Sequence, residues 1–274
     1  AADCIPKDKA VTKAIAMALY ASAYQVNFTN RGVTALAIAK QLAVSIVYSK
    51  YCPSSKGFNR VLNDFFQSGG KGLNVTAPFK LDALNYADLI TDRAKDSNSV
   101  NTLVYTPEGI LGDSTDGMGF LRDLYAKQKE HNIDFQNKRA VLLGAGGVAR
   151  CIAQSLLLDG FEVYLINRTQ SKAEQLAKDL SHLGTIALYS ESIAVDLIVN
   201  SVSFNADKFL SQVTFADNAV AYDLNYGEKA GQFLNAVKPH TNHQFHGLGM
   251  LIEQGAESFG LWTGKYPDTS LVSL

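Results

Sequence analysis

Two stretches of this chain carry residue types suited to chemistry. In one, Val141-Leu142-Leu143 runs into Gly144-Ala145-Gly146-Gly147-Val148-Ala149, and apolar residues continue to Leu158. The order is strand, G-x-G-x-x-A, helix. Gly144 permits a tight turn, Gly146 lets a diphosphate approach the backbone, and Ala149 lets the helix pack close to the strand. The helix start adds N–H groups and a positive dipole end, both suited to an anion. In the other, Gly72-Leu73-Asn74-Val75-Thr76-Ala77-Pro78-Phe79-Lys80, a short strand puts Asn74 and Thr76 on one face. Pro78 ends the strand and Lys80 follows. Amide, hydroxyl and amine together suit a polar small molecule; the plain alternative is a strand exit with solvated side chains. Further on, Gly112-Asp113-Ser114-Thr115-Asp116-Gly117 brings two carboxylates to a helix start, where either could instead be a helix cap.

A lone glycine turn is weak evidence, so its surroundings matter. A second strand, Phe161-Glu162-Val163-Tyr164-Leu165-Ile166, completes a βαβ unit. About 20 residues after the first glycine, an NAD site needs Asp or Glu for the ribose hydroxyl. This chain has Asn167-Arg168-Thr169 there, with Lys172 a turn later. A carboxylate would repel a 2′-phosphate, whereas Arg168 and Lys172 attract one. The expected cofactor is therefore NADP(H) rather than NAD(H). The competing reading makes both cations solvated surface charges.

The elements that must position these residues follow from periodicity. Strands at 140–143, 161–166, 185–189, 195–200 and 219–224 alternate with helices at 148–158 and 171–180, which predicts a doubly wound parallel sheet. The C-terminal ends of Asp196–Ser201 and Val220–Leu224 should open on the cofactor crevice. Earlier, helices are expected at 31–42, 58–67 and 118–128, with strands at 44–48 and 99–105. After His246 an apolar helix is expected, with Met250, Leu251, Phe259 and Trp262 in the core and Gln254 as its polar exception. Residues 1–12 read as a polar leader. Alanines favour helix over 12–24, yet 18–24 could be a strand.

With 274 residues, 47% of them hydrophobic, the chain can bury a sizeable core and should form two domains. A net charge of −1 gives no electrostatic case for nucleic acid or an anionic membrane. Cys4, Cys52 and Cys151 are far apart, so neither a disulfide framework nor a zinc site is expected, and a reducing cytoplasm fits. His240, His243 and His246 cluster without acidic or cysteine partners at ligand spacing, so no metal is expected. No apolar run reaches the roughly 20 residues that span a bilayer. Ala14–Ala23 resembles a short signal-peptide core, but a buried element is the simpler reading.

Together the motifs resemble the shikimate dehydrogenase family from about Val44 to Pro267. The match rests on Asn74–Lys80, Val100-Asn101-Thr102-Leu103, Gly112–Gly117, Gly144–Gly147, Asn167-Arg168-Thr169, Tyr222-Asp223-Leu224-Asn225-Tyr226, and Gly247-Leu248-Gly249-Met250-Leu251 with Gln254. The resemblance implies an α/β protein of two domains. An N-terminal α/β substrate domain (1–115 plus 247–274) would hold a Rossmann-type NADP domain (116–246) as an insertion. It implies reversible reduction of 3-dehydroshikimate to shikimate by NADPH, a step of aromatic amino-acid biosynthesis. Lys80 and Asp116 would be the catalytic pair, with Asn74, Thr76, Asn101, Tyr226 and Gln254 on the substrate. Gly144, Ala145, Gly146, Gly147, Val148, Ala149, Asn167, Arg168, Thr169, Lys172, Leu224 and Gly247 would form the NADP site.

The chemistry is sound on its own terms. Hydride transfer to a ketone leaves an alkoxide, and an ammonium beside it stabilises the charge and can supply the proton. A neighbouring carboxylate orients that lysine. Which of the two is the formal acid stays open here.

The chain also departs from the family. The early Ser-Lys-Ser motif that grips the substrate carboxylate is replaced by Val26-Asn27-Phe28-Thr29-Asn30-Arg31-Gly32, while Ser54-Ser55-Lys56 has similar residues in the wrong order and place. Ser114 stands for Asn, His246 for Asp, and Asn200-Ser201-Val202-Ser203 varies a usual Asn-Ala-Thr-Ser. Two alternatives therefore stay open: a paralogue acting on quinate or another cyclic polyol acid, and a catalytically weak NADP-binding regulatory protein. The sequence leaves the oligomeric state open.

Overall fold

The structure, a computed structural model, describes residues 14–19, 30–51, 53–54, 57–202 and 207–272. The polar leader, residues 26–29 of the departing segment, and Ser55-Lys56 lie outside the described residues. In chain order the first elements are β1 (Ala14–Leu19), α1 (Asn30–Gln41), β2 (Ile46–Tyr51), α2 (Phe58–Gln67), β3 (Gly72–Val75), α3 (Lys80–Tyr86), β4 (Leu89–Ile90), α4 (Asp92–Ser97), β5 (Thr102–Thr106) and β6 (Gly109–Asp113). After them come α5 (Asp116–His131), β7 (Arg139–Leu143), α6 (Gly147–Leu158), β8 (Glu162–Ile166), α7 (Gln170–Leu180), β9 (Ile186–Leu188), β10 (Ala194–Asn200), α8 (Asp207–Leu210), β11 (Thr214–Asp223), α9 (Gly231–Val237), β12 (His243–His246) and α10 (Leu248–Thr263).

The strands form two sheets. The first runs β2-β1-β3-β5-β6-β4. Its β2, β1 and β3 are parallel, and β5 is antiparallel to both β3 and β6. The second sheet is wholly parallel and runs β12-β11-β10-β7-β8-β9. Counted from β7, that is the doubly wound order with its switch point between β7 and β10, where ligands bind in such sheets. The architecture is α/β with an N-terminal substrate domain and a Rossmann-type domain.

Buried cores form against each sheet. In the first, Phe58, Leu62 and Phe65 of α2 join Leu73, Val75, Phe79 and Leu103 in one core, while Ile38 and Ala39 of α1 meet Ala256 and Phe259 of α10 in another. In the second, α5, α6 and α7 cover one face through Phe120, Ile152 and Leu176. Phe233 and Val237 of α9 cover the other. No helix among the described residues is long and apolar enough to cross a membrane.

Several boundaries differ from the sequence reading. The apolar stretch near residue 14 is β1, paired with β2 and β3, so the strand begins earlier than 18. Its alanines have high helix propensity, but pairing on both sides overrides that preference. The strand expected at 44–48 runs later, as β2. The α5 helix is longer than expected at both ends. Trp262 is half-buried, and its indole N–H donates to the Leu103 carbonyl at 3.1 Å.

Helices α5 and α10 carry the chain from one sheet to the other and back, and their approach sets the site. Gly119 of α5 lies against the α10 backbone: a Cβ there would sit 2.6 Å from the Gln254 nitrogen and 2.9 Å from its Cα. The buried Tyr222 hydroxyl of β11 donates to Asp123 of α5 at 2.5 Å, tying α5 to the second sheet. Burial pushes the Asp123 carboxyl up despite that bond, and burial with the Asp123 charge pushes the Tyr222 phenol up. Gly119→Ala should therefore force the helices apart and cost about 1–3 kcal/mol. Thermal melts should show Tm lower by several degrees, whereas an unchanged Tm would mean α5 and α10 are not held this closely.

Candidate active site

Three backbone hydrogen bonds bring the polar motifs of the first sheet together. Val75 N–H donates to the Asn101 carbonyl at 2.7 Å, Asn101 N–H to the Asp113 carbonyl at 3.0 Å, and Val100 N–H to the Lys80 carbonyl at 3.1 Å. The exit of β3, the entry to β5 and the end of β6 thus meet at one place. Lys80 is the first residue of α3 and Asp116 the first of α5. The Lys80 ammonium donates to Asp116 Oδ2 in a close ion pair. Its other oxygen, Oδ1, accepts from Asn101 Nδ2 at 2.9 Å. The Asp116 side chain is 3% exposed and that of Lys80 19%, so the carboxylate is buried and the lysine is partly exposed. A buried carboxylate needs such pairing, and the positive end of α5 favours it further.

Asn101 is wholly buried, and both ends of its amide are committed. Nδ2 also faces Thr115 Oγ1 at 3.0 Å and Gln254 Oε1 at 3.2 Å; Oδ1 accepts from Thr115 N–H and Thr102 Oγ1, each at 2.9 Å. Asn74 Nδ2 donates to Ser258 Oγ at 2.9 Å, and its Oδ1 accepts from the Tyr48 hydroxyl at 3.2 Å. The Ser258 hydroxyl also lies 2.8 Å from Thr102 Oγ1. Lys80, Asp116, Asn74, Asn101 and Gln254 are therefore joined in one network. Thr76 lies half-buried just beyond β3, where its carbonyl accepts from Phe79 N–H at 3.0 Å. Tyr226 follows β11 on the other sheet and is 38% exposed.

The glycine turn lies where β7 meets α6. Gly144 has φ +111°, and a Cβ there would overlap the Ser201 hydroxyl, so the turn requires glycine. A Cβ at Gly146 or Gly147 would meet nothing within 4 Å, and Gly146 caps α6 without a side-chain bond to the helix N–H groups. Ala149 is buried against the strand. A cleft of about 300 Å³ adjoins this end, lined by Ala145, Gly146, Gly147, Arg150 and Lys172 among others. Asn167 Nδ2 donates to the Thr169 carbonyl at 2.8 Å, shaping the turn that presents the exposed Arg168 and Thr169. Leu224 and Gly247 are neighbours past β11 and β12, so close that a Cβ on Gly247 would overlap the Leu224 carbonyl. An open glycine-lined helix start beside a cleft that bears Lys172, with Arg150 paired to Asp179 at 2.6 Å on its wall, suits a dinucleotide diphosphate.

Sequence reasoning missed Tyr48, Thr102, Thr115 and Ser258, which hold the site amides, and Arg93. Arg93 Nε and Nη2 each reach an Asp113 carboxylate oxygen at 2.6 Å, so Asp113 serves an ion pair. Cys151 is buried, and burial with the nearby Asp116 charge pushes its thiol up, which argues against a nucleophilic role.

Comparison with known proteins identifies the family. Residues 26–103 match the shikimate dehydrogenase substrate binding domain, 125–208 the shikimate/quinate 5-dehydrogenase family, and 247–272 the shikimate 5'-dehydrogenase C-terminal domain. The shikimate dehydrogenase (NADP(+)) of Pseudoalteromonas atlantica is 41% identical over 240 residues, covering 84% of this chain and 87% of that protein. The Vibrio cholerae protein of the same name is 38% identical, covering 85% and 86%. The crystal structure of shikimate 5-dehydrogenase from Thermus thermophilus in complex with NADP(H) and shikimate superposes with a TM-score of 0.78 at 27% identity, covering 94% of this chain and 95% of that one. With this identity along most of its length, the chain belongs to the shikimate dehydrogenase family.

Proposed function

We propose that this chain is an NADP-dependent shikimate dehydrogenase of the cytoplasm. It reversibly reduces 3-dehydroshikimate to shikimate in aromatic amino-acid biosynthesis. The observation that carries the reading is the Lys80–Asp116 pair, held by Asn101 and Gln254 where the two helices that connect the sheets meet. The boundaries proposed are 1–115 plus 247–274 for the substrate domain and 116–246 for the NADP domain. NADP would be held by Gly144–Ala149, Asn167, Arg168, Thr169, Lys172, Leu224 and Gly247, and when bound it supplies the hydride.

The chain's own residues handle the proton. Lys80 faces the substrate oxygen with its ammonium, stabilises the negative charge that develops there, and gives that oxygen a proton. Asp116 keeps the Lys80 ammonium aimed, because Oδ2 accepts from it while Oδ1 is fixed by Asn101. In the oxidative direction the same pair takes the hydroxyl proton. Asn74, Thr76, Asn101, Tyr226 and Gln254 orient the ring and its hydroxyls. Quinate is the competing substrate, because the segment at 27–32 lacks the family's serine pair; a panel of both acids separates the two.

Lys80→Ala should lower turnover by about 10²–10⁴-fold, since it removes both proton donor and charge stabilisation. Steady-state rates and an NADP titration check this: turnover near the parent's would remove Lys80 from the chemistry. Arg168→Glu combined with Lys172→Glu should weaken NADP by roughly 10–100-fold and leave NAD little changed, because each cation can give a phosphate one charge-assisted bond. Equal losses for both cofactors would contradict the 2′-phosphate role.

A further inference from the structure

We infer that Arg93 is a positioning residue that sets the place of the Asp116 carboxylate by clamping Asp113, three residues upstream, to α4 and α10. This rests on the proposed dehydrogenase reading and extends it to residues outside the substrate contacts.

The clamp is a chain of alternating charge. Arg93 reaches both oxygens of Asp113 in a fork, at 2.6 Å each, and the same Nη2 reaches Glu257 Oε1 at 3.0 Å. The other Glu257 oxygen faces Arg122 at 2.7 Å. Asp113 and Glu257 are both buried. Asp113 also accepts from the Thr91 hydroxyl at 2.6 Å and from Ser114 N–H at 2.7 Å, so its carboxylate has a partner on every side. Its carbonyl accepts from Asn101 N–H, and Asn101 holds Asp116 Oδ1. Glu257 lies three residues after Gln254 on α10, whose amide meets Asn101. One guanidinium thus ties the β6–α5 turn that bears Asp116 to the helix that bears Gln254.

The consequence of losing it follows from burial. Removing Arg93 leaves Asp113 buried without a cation and Glu257 with Arg122 alone, and a buried carboxylate without its cation is strongly unfavourable. Burial alone raises the Asp113 carboxyl; Arg93, through hydrogen bonds and charge, together with the Thr91 hydroxyl and Ser114 N–H, more than offsets this and holds it below the usual range. Asp113 therefore stays charged at working pH while Arg93 is present. Without Arg93 only the Thr91 and Ser114 bonds oppose burial, so the Asp113 carboxyl moves up and binds a proton at higher pH than it does with Arg93 present. The turn then loses its anchor, and a shift of about 1 Å at Asp116 can cost on the order of 10²-fold in rate.

The test compares wild type, Arg93→Met, Arg93→Lys and Arg122→Met in shikimate oxidation with NADP across pH, alongside thermal melts. Arg93→Met should lower kcat by roughly 30-fold or more with KM for shikimate and NADP within about threefold, which marks an effect on the chemical step. Its kcat should also gain an acid limb at higher pH than the wild type's. Arg93→Lys should recover most of the rate and move the limb back. Arg122→Met, which leaves Arg93 on both Asp113 and Glu257, should lower kcat less than Arg93→Met does. If Arg93→Met does not fold, Asp113→Asn carries the test, with kcat at least about tenfold lower and KM near wild type. An active wild type whose Arg93→Met or Asp113→Asn variant keeps its kcat would overturn the inference alone. So would a loss spread equally over kcat and both KM values with no change in pH profile. An inactive wild type would overturn the dehydrogenase reading and this inference with it.

Discussion

The Asp116 carboxylate is charged, almost wholly buried and divided between two partners, and much of the site follows from that constraint. A buried charge is tolerated only with its partners in place. Lys80 neutralises one oxygen and Asn101 satisfies the other. Asn101 in turn must be fixed, and Thr102, Thr115 and Gln254 fix it. The requirement passes outward to Ser258 and Asn74 in one direction and to Asp113 and Arg93 in the other. The result is a preorganised cation backed by fixed dipoles, which under the proposed mechanism need no rearrangement when charge develops on a substrate.

The second sheet answers a different requirement. A dinucleotide needs backbone N–H groups, room for phosphates and a cation for a 2′-phosphate. In the proposed site the glycine turn, the start of α6 and the Lys172-lined cleft would meet these with little side-chain machinery. The two requirements meet because α5 and α10 pack so closely that Gly119 has no space for a side chain. Tyr222 and Asp123 then hold α5 to the sheet that bears the cofactor crevice.

Much of this was legible in the sequence where local pattern carries the information. The glycine turn, the alternation from 140 to 224 and the motifs bearing Lys80 and Asp116 all mark short, contiguous stretches. Short helices such as α3, α4 and α9 were not legible, because seven residues or fewer show no clear period. Ser258 was invisible for another reason: its partners Asn74 and Thr102 lie 184 and 156 positions away, and a serine inside a helix has no signature of its own. Arg93 and Glu257, 164 positions apart, read as ordinary charges until the fold brings them together. The alanine-rich β1 misled in the opposite sense, since its helix propensity yields to pairing with β2 and β3.

The most direct test of the central claim is nicotinamide absorbance on mixing the protein with shikimate and NADP, with NAD in a parallel cuvette. The account predicts a rise with NADP and little or none with NAD. No rise with NADP, while NADP binds by titration, would contradict the assignment of Lys80 and Asp116 to shikimate oxidation and direct attention to the segment at 27–32.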